Sequence, residues 1–365
     1  MQKEILKLSK ISSKQFKDIN KCYPIKISPY LLKQIKKSKF IAKQFLPSIQ
    51  ELKKDIPVSE PFKGLLKTDI MGFERLYEDR VVFKLISDCP SYCRFCYRRG
   101  YVFGKEKIMN KSDIRKAIIF VKNDKSIRNI LLTGGTPLLL RTKHIENIIK
   151  ELVNINHINQ IYFALGRSIM DPNLITDKFA KMLAKYNNPL NHKSIACTVH
   201  INHPDELTPE VIKALTKLTS RGITVWTQTT LLKGINDDKK TMLKMYRMFR
   251  SINLIPYYLI HAIPMIGTSH FRTSVEKGIQ IMRYLEQFSG HERPIYIVIP
   301  TVGKVHLTGN TILKYKTIDR KQYVILRTPY KAKKFFEVNK TNQLPHRHSV
   351  DRNGYIIAEY LDGKD

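Results

Sequence analysis

A chain of 365 residues with 42% hydrophobic content and sixteen glycines can bury one large core plus appendages, and its composition is neither disordered nor fibrous. No stretch reaches the roughly 18 apolar residues of a membrane span. The Lys-rich start, Met1-Gln2-Lys3-Glu4, leads into no apolar segment of the kind that directs secretion, so a cytoplasmic protein with no membrane partner is expected. The formal charge of +33 raises nucleic-acid binding, but the basic residues are spread along the chain, in runs no longer than pairs such as Lys36-Lys37 and Lys333-Lys334. Without a helix-turn-helix, finger or RNP signature, the excess reads as a solvated basic surface, and nucleic-acid binding is not expected.

The first 68 residues read as a helical extension. Ser28-Pro29 is a start signal, because serine accepts from an orphan amide and proline suits the first helical position. Leu32, Ile35, Ile41 and Phe45 then predict a helix with one apolar face, ending at Pro47, and a short helix follows through Ile49 and Leu52.

From Arg80 the pattern changes to short apolar runs, at 81–86, 130–132, 161–165, 195–199, 223–227, 257–260 and 295–299. Between them lie amphipathic stretches, one carrying Ile114, Ala117, Ile118 and Val121, another Val211, Ala214, Leu215 and Leu218 after the Thr208-Pro209 start. Such alternation predicts right-handed β-α-β units and a parallel sheet over a core of residues 69–305. Periodicity does not choose between an open sheet and a closed or partial barrel. Residues 306–365 read as a C-terminal extension with short strands at 323–326 and 335–338.

Cys89, Cys93 and Cys96 form a Cys-x3-Cys-x2-Cys loop directly after the first apolar run. Three thiolates can hold three irons of a four-iron cluster and leave the fourth open to a small molecule. Zinc is the competitor, but a structural zinc takes four ligands, and Cys22 and Cys197 are solitary. Clustered cysteines with two loners also suit a reducing compartment and metal chemistry rather than disulfides.

This loop resembles that of the radical S-adenosylmethionine superfamily. Arg98-Arg99, Asn202-His203-Pro204, Leu231-Leu232-Lys233-Gly234-Ile235-Asn236-Asp237, Pro256-Tyr257-Tyr258 and His270-Phe271-Arg272-Thr273 narrow the resemblance to the lysine 2,3-aminomutase family, from about Tyr23 to about Leu313. The resemblance implies an α/β fold, a partial (β/α)6 barrel of the TIM type with one extra strand, and a site at the carboxyl ends of its strands. It also implies a [4Fe-4S] cluster on Cys89, Cys93 and Cys96, chelation of S-adenosylmethionine by the open iron, and its reductive cleavage to a 5′-deoxyadenosyl radical. A flavodoxin- or ferredoxin-type electron donor and a small amino-acid substrate follow, and a homo-oligomer is allowed.

For individual residues the resemblance implies the following. Phe95 and Tyr97 flank the last cysteine, where an aromatic contacts adenine or simply shields the cluster. Thr133, Gly134, Gly135 and Thr136 would bind the amino group of S-adenosylmethionine, with glycines allowing close approach and Thr136 standing where the family has an acidic residue. Gly166 and Arg167 are further cofactor-side candidates, with Arg167 alternatively a surface arginine capping a helix. Pyridoxal 5′-phosphate would form an imine with Lys304, in Pro300-Thr301-Val302-Gly303-Lys304, a loop shorter than the family's glycine run. Arg80, Arg75 and Tyr77 would meet its phosphate. Arg98 matches the arginine that grips the substrate α-carboxylate with two parallel hydrogen bonds.

Lysine-specific members hold the distal ammonium with two aspartates, and the matching positions here are Ile263 and Val298. An unpaired ammonium in an apolar pocket would cost several kcal/mol, so an α-amino acid other than free lysine is expected. His261 is either one polar contact to it or a core histidine at a strand end. The expected activity is an intramolecular amino transfer from C2 to C3. The alternatives are another radical reaction, an oxidation, an epimerisation or one without pyridoxal phosphate, and a non-catalytic iron–sulfur or RNA-binding protein.

Overall fold

Seven parallel strands, each joined to the next through helical segments, build the centre of the molecule. The computed structural model describes residues 2–56, 69–100 and 108–364. The boundary expected at residue 68 lies outside the described residues. At the N-terminus stand α1 (Gln2–Ser9), α2 (Ser13–Cys22), α3 (Pro29–Lys37) and α4 (Lys39–Phe45), then a 3-10 turn at Ile49–Leu52. The single helix expected between residues 32 and 45 is broken at Ser38. Its backbone is extended (φ −134°, ψ 121°), its N–H closes α3 on the Gln34 carbonyl, and its hydroxyl accepts from the Ile41 N–H to open α4. Apolar spacing does not reveal a serine that ends one helix and caps the next.

The central sheet runs β1 (Phe73–Tyr77), β2 (Arg80–Ile86), β3 (Asn129–Gly134), β4 (Gln160–Gly166), β5 (Ser194–His200), β6 (Thr224–Leu231), β7 (Leu254–His261), β8 (Ile295–Val298) and β9 (Val305–His306), paired in chain order. Strands β2 to β8 are parallel, while β1 and β9 are antiparallel edges. The connecting helices are α5 (Lys111–Asn123), α6 (Thr142–Val153), α7 (Asp177–Tyr186), α8 (Pro209–Thr219), α9 (Lys239–Ser251) and α10 (Val275–Leu285). Parallel neighbours need such crossovers. Six strands plus one further strand match the expected partial barrel, and among the described residues no pairing closes the sheet.

Strand alternation separates the two faces. On β2, Val81, Phe83 and Leu85 are buried, whereas Arg80, Val82, Lys84 and Ile86 stay partly accessible. On β3, Ile130 and Leu132 are buried, and Leu131 and Thr133 are partly accessible. A parallel sheet packed on both faces would bury both sets. The accessible set therefore faces open space inside the curve, and the buried set faces the helices, as where Phe73 meets Phe83 and Phe120 edge to face.

The C-terminal part is a second sheet of β10 (Ile312–Ile318), β11 (Lys321–Lys331), β12 (His348–Val350) and β13 (Tyr355–Leu361), in the order β10-β11-β13-β12 and antiparallel throughout. The strand expected at 323–326 lies in β11. The one expected at 335–338 is instead helical, in α11 (Ala332–Asn339). Phe335 and Phe336 give a strand-like apolar run, but Ala332, Phe335 and Asn339 bury one helical face, and four residues are too few to separate the two periods. Arg272 fastens this sheet to the barrel by donating to the carbonyls of Ala262, Leu361 and Asp362, and the Asp362 carboxylate accepts the Val275 N–H at the start of α10. Among the described residues no helix is long and apolar enough to cross a membrane.

Candidate active site: a cysteine loop and a cavity lysine

The cysteine loop leaves the carboxyl end of β2 and is held from outside by the N-terminal helices. Tyr92 N–H donates to the Lys26 carbonyl, Arg94 N–H to the Gln44 carbonyl, and Ser28 N–H to the Ser91 hydroxyl, each at 2.9 Å. Deeper lies Glu51, whose carboxylate accepts from Arg94 Nε and Nη2, from Arg99 Nη2 and from the Ser48 N–H. The Glu51 and Arg94 side chains are 0% and 1% exposed. Arg94 and Arg99 also lie over the Tyr23 ring. Asp88 accepts from the Cys89 N–H, the Tyr92 hydroxyl and Lys26. Burial alone would raise its carboxyl, but these hydrogen bonds outweigh burial and hold it below the usual range.

Cys93 is buried, and Cys89 and Cys96 are half-buried. Burial pushes the thiols of Cys89 and Cys93 up to about 12 and raises Cys96, against the pull of Arg98 on Cys89 and Cys96 and of Arg167 on Cys93. Arg98 thus stands beside two of the three thiols. Thiols so placed become thiolates only against a strong local positive charge, which iron supplies. Among the described residues no group of three or more His, Cys, Asp and Glu side chains is placed to hold a single metal ion. Three thiols on one loop suit a cluster, which offers a separate iron to each.

The Thr133–Thr136 stretch is zipped to the cysteine loop. Gly135 N–H donates to the Ile86 carbonyl and Thr136 N–H to the Asp88 carbonyl. Gly134 has φ +134°, and a Cβ on Gly135 would lie 2.0 Å from the Asp88 oxygen. Glycine is required here for approach to the neighbouring loop, a role the sequence reading assigned to a ligand. Thr136 is fully buried, its hydroxyl beside Cys89 and drawing that thiol down against burial. Gly135→Ala is expected to destabilise the protein by about 1–3 kcal/mol through overpacking and to lower iron content after reconstitution. A wild-type melting temperature and iron-to-protein ratio would count against this.

Arg167, expected at the cofactor, sits under Cys93 in a buried polar network. It donates to both oxygens of Glu206, to Gln44 and to the His200 carbonyl. Asn202 donates to Gln44 and accepts from the Thr230 N–H, and Asn236 bridges the carbonyls of Asn202 and Thr230. The Asn202 and Asn236 motifs thus knit the carboxyl ends of β5 and β6 together. Phe95 meets the rings of His200 and Phe271, while Tyr97 is 39% exposed. Gly166 has φ +55° and lies against the Gly135 carbonyl. His200 and Gln228 stand on the accessible face near the carboxyl ends of β5 and β6 and were missed by sequence reasoning. Strand alternation could have found them. Burial, then Arg167, lowers the His200 imidazole to about 3, so it is neutral at physiological pH.

Towards the amino ends of the strands lies a cavity of about 300 Å³, lined by Tyr77, Asp79, Arg80, Asn129, Tyr162, Tyr258, Lys304 and Tyr330. It brings together three residues the sequence reading grouped, Tyr77, Arg80 and Lys304. Burial, then Arg80, lowers the Lys304 amine to about 7, and its Nζ lies 4.4 Å from the centre of the Tyr258 ring. Arg80 Nε is buried without a hydrogen-bond partner among the described residues. Arg75 does not join them: it turns away to Asp124, Ser126 and the Glu78 carbonyl.

Two of the three expected specificity residues face away from the interior. His261 is fully buried between the Tyr360 hydroxyl and the Thr273 carbonyl, both ring nitrogens engaged, so its core-histidine reading fits. Val298 packs with Val275, Val305, Val324, Leu326 and Tyr360 under the C-terminal sheet. Period two puts Ile260, Ile297 and Ile299 on the inner face instead. Ile263 is buried.

A fold of parallel strands with three thiols on the loop after the first defines a class, and the model of the radical SAM superfamily matches residues 83–246. The chain is 35% identical to a protein of Aquifex aeolicus assigned by name to the L-lysine 2,3-aminomutases, over 86% of this chain and 85% of that one. It is 36% identical to the L-lysine 2,3-aminomutase of Methanococcus maripaludis, over 84% and 70% of the two chains. It is 31% identical to the glutamate 2,3-aminomutase of Clostridioides difficile, over 89% and 76%. The chain belongs to the lysine 2,3-aminomutase family of radical SAM enzymes, and membership implies a [4Fe-4S] cluster and S-adenosylmethionine.

Proposed function

We propose that this protein is a pyridoxal-phosphate-dependent 2,3-aminomutase acting on an α-amino acid other than free lysine. The observation that carries the reading is Lys304, a lysine with its amine lowered to about 7, beside Arg80 in a cavity that four tyrosines line. Nucleophilic lysines gain reactivity from such desolvation and a neighbouring cation. Arg80, whose buried Nε has no hydrogen-bond partner among the described residues, and Tyr77 offer donors to a phosphate in that cavity. When bound, pyridoxal phosphate supplies the carbonyl chemistry, and the cluster with S-adenosylmethionine the radical initiation, for moving an amino group between adjacent carbons. Arg98, beside Cys89 and Cys96, supplies a planar double donor for the substrate carboxylate on the radical side. The inner wall between the two ends carries Val82, Leu131, Trp226 and Tyr257. Glu74, the acid on β1, is paired with Lys84. Such a wall favours an uncharged side chain. The basic surface favours capture of an acidic flavodoxin- or ferredoxin-type donor.

A screen of α-amino acids with the anaerobically reconstituted, reduced enzyme tests this, reading β-amino acid by mass spectrometry. Conversion of one uncharged amino acid is expected, with free lysine at least about 100-fold poorer in kcat/KM, as an unpaired ammonium costing several kcal/mol requires. Lysine as the best substrate would overturn the specificity. Cleavage of S-adenosylmethionine with no β-amino acid from any member of the panel would favour a different radical reaction.

A further inference from the structure

The short loop before Lys304 is held by the C-terminal sheet. Val302 is buried against Ala332, Phe335 and Ile356. Gly303 has φ +138°, and a Cβ there would lie 2.7 Å from the Tyr330 ring. The Tyr330 hydroxyl donates to the Lys304 carbonyl at 2.8 Å, and Tyr330 itself lines the cavity. Its ring centre lies 6.3 Å from that of Tyr77. One side chain from β11 therefore covers the glycine, fixes the lysine backbone and forms part of the cavity wall. Nothing in the local sequence around Lys304 announces this partner, 26 residues further on.

We propose that Tyr330 is a positioning residue for Lys304, so that the C-terminal sheet is part of the lysine site and takes the place of a glycine-rich loop. This deepens the proposed function and rests on it for the cofactor's identity, but the positioning itself is testable without cofactor. The titratable or charged groups around Lys304 are Asp79 in the turn before β2, Arg80 at the start of β2, Tyr77 on β1, Tyr162 on β4, Tyr258 on β7 and Tyr330 on β11. Removing the ring admits water beside the amine and weakens the desolvation that lowers it. Removing only the hydroxyl loosens the loop while leaving the ring beside the amine.

The test is competitive acetylation of the full chain, cluster intact and no pyridoxal phosphate added, with Lys304 read against surface lysines by mass spectrometry across pH. In the wild type the Lys304 midpoint is expected at about 7. Tyr330→Phe is expected to keep that midpoint but to weaken pyridoxal phosphate binding by about 2–10-fold, the loss of one hydrogen bond. Tyr330→Ala is expected to move the midpoint up towards the ordinary 10.5. If that variant does not fold, Tyr330→Leu serves, with a smaller upward shift expected. A folded Ala or Leu variant with the wild-type midpoint would overturn the assignment. A shifted midpoint in a protein that never binds pyridoxal phosphate would uphold the positioning and defeat only the proposed cofactor.

Discussion

Lys304→Met is expected to abolish amine migration, by at least about 10³-fold in kcat, while the reduced cluster still cleaves S-adenosylmethionine. The same substitution is expected to stabilise the protein. The Lys304 amine is lowered from 10.5 to about 7 by burial and Arg80. Between these values the unfolded chain holds a proton that the folded one lacks, so this group's contribution to stability rises with pH across that window. Below about pH 7 both states are protonated and the penalty of a buried ammonium is fully present. Methionine has a similar reach and no charge. Its gain in melting temperature should therefore be largest near pH 6 and fade as pH rises through about 10. A variant that still migrates amine would remove Lys304 from the chemistry, and a gain independent of pH would remove burial as the cause of the lowered amine.

The second large effect is on assembly. Glu51→Gln leaves Arg94, 1% exposed, and Arg99, 9% exposed, without the carboxylate that both bind. Removing one partner of a buried pair costs about 3–5 kcal/mol. For a protein of this size that corresponds to a fall in melting temperature of about 4–7 °C. Arg94 and Arg99 flank Cys96 and Arg98, so iron incorporation should fall with stability. Lys26→Met is the contrast, since the Lys26–Asp88 pair is 40% and 45% exposed and such pairs are worth about 1 kcal/mol or less. Thermal melts and iron-to-protein ratios of the two variants decide the matter. Equal, small effects would mean that the N-terminal helices do not govern the cysteine loop.

How far the sequence could be read depended on the range of each interaction. The cysteine spacing is local, and so is the alternation that predicts parallel strands. Lys304 was singled out by the family resemblance, through its position after the last strand of the barrel. The sequence reading passed over Glu51: the structure shows it closing a capping box with Ser48, and its arginine partners lie 43 and 48 residues away. Arg75 and Arg80 look alike in sequence, yet only Arg80 lines the cavity, because side-chain direction is set by pairing in β1 and β2. As pocket residues, His261 and Val298 both fall on the outer face by parity. One residue's shift along a strand exchanges the inner face for the outer. The Phe335 region failed because two adjacent aromatics carry no period.

The proposed function stands on Lys304 holding pyridoxal phosphate in the same barrel that carries the cysteine loop. The most direct measurement is peptide mapping by mass spectrometry after the reconstituted protein is incubated with pyridoxal phosphate and reduced with borohydride. A pyridoxyl adduct concentrated on Lys304 is expected, with the many surface lysines near background. Adducts scattered over surface lysines and absent from Lys304, in a protein whose cluster is intact, would contradict it.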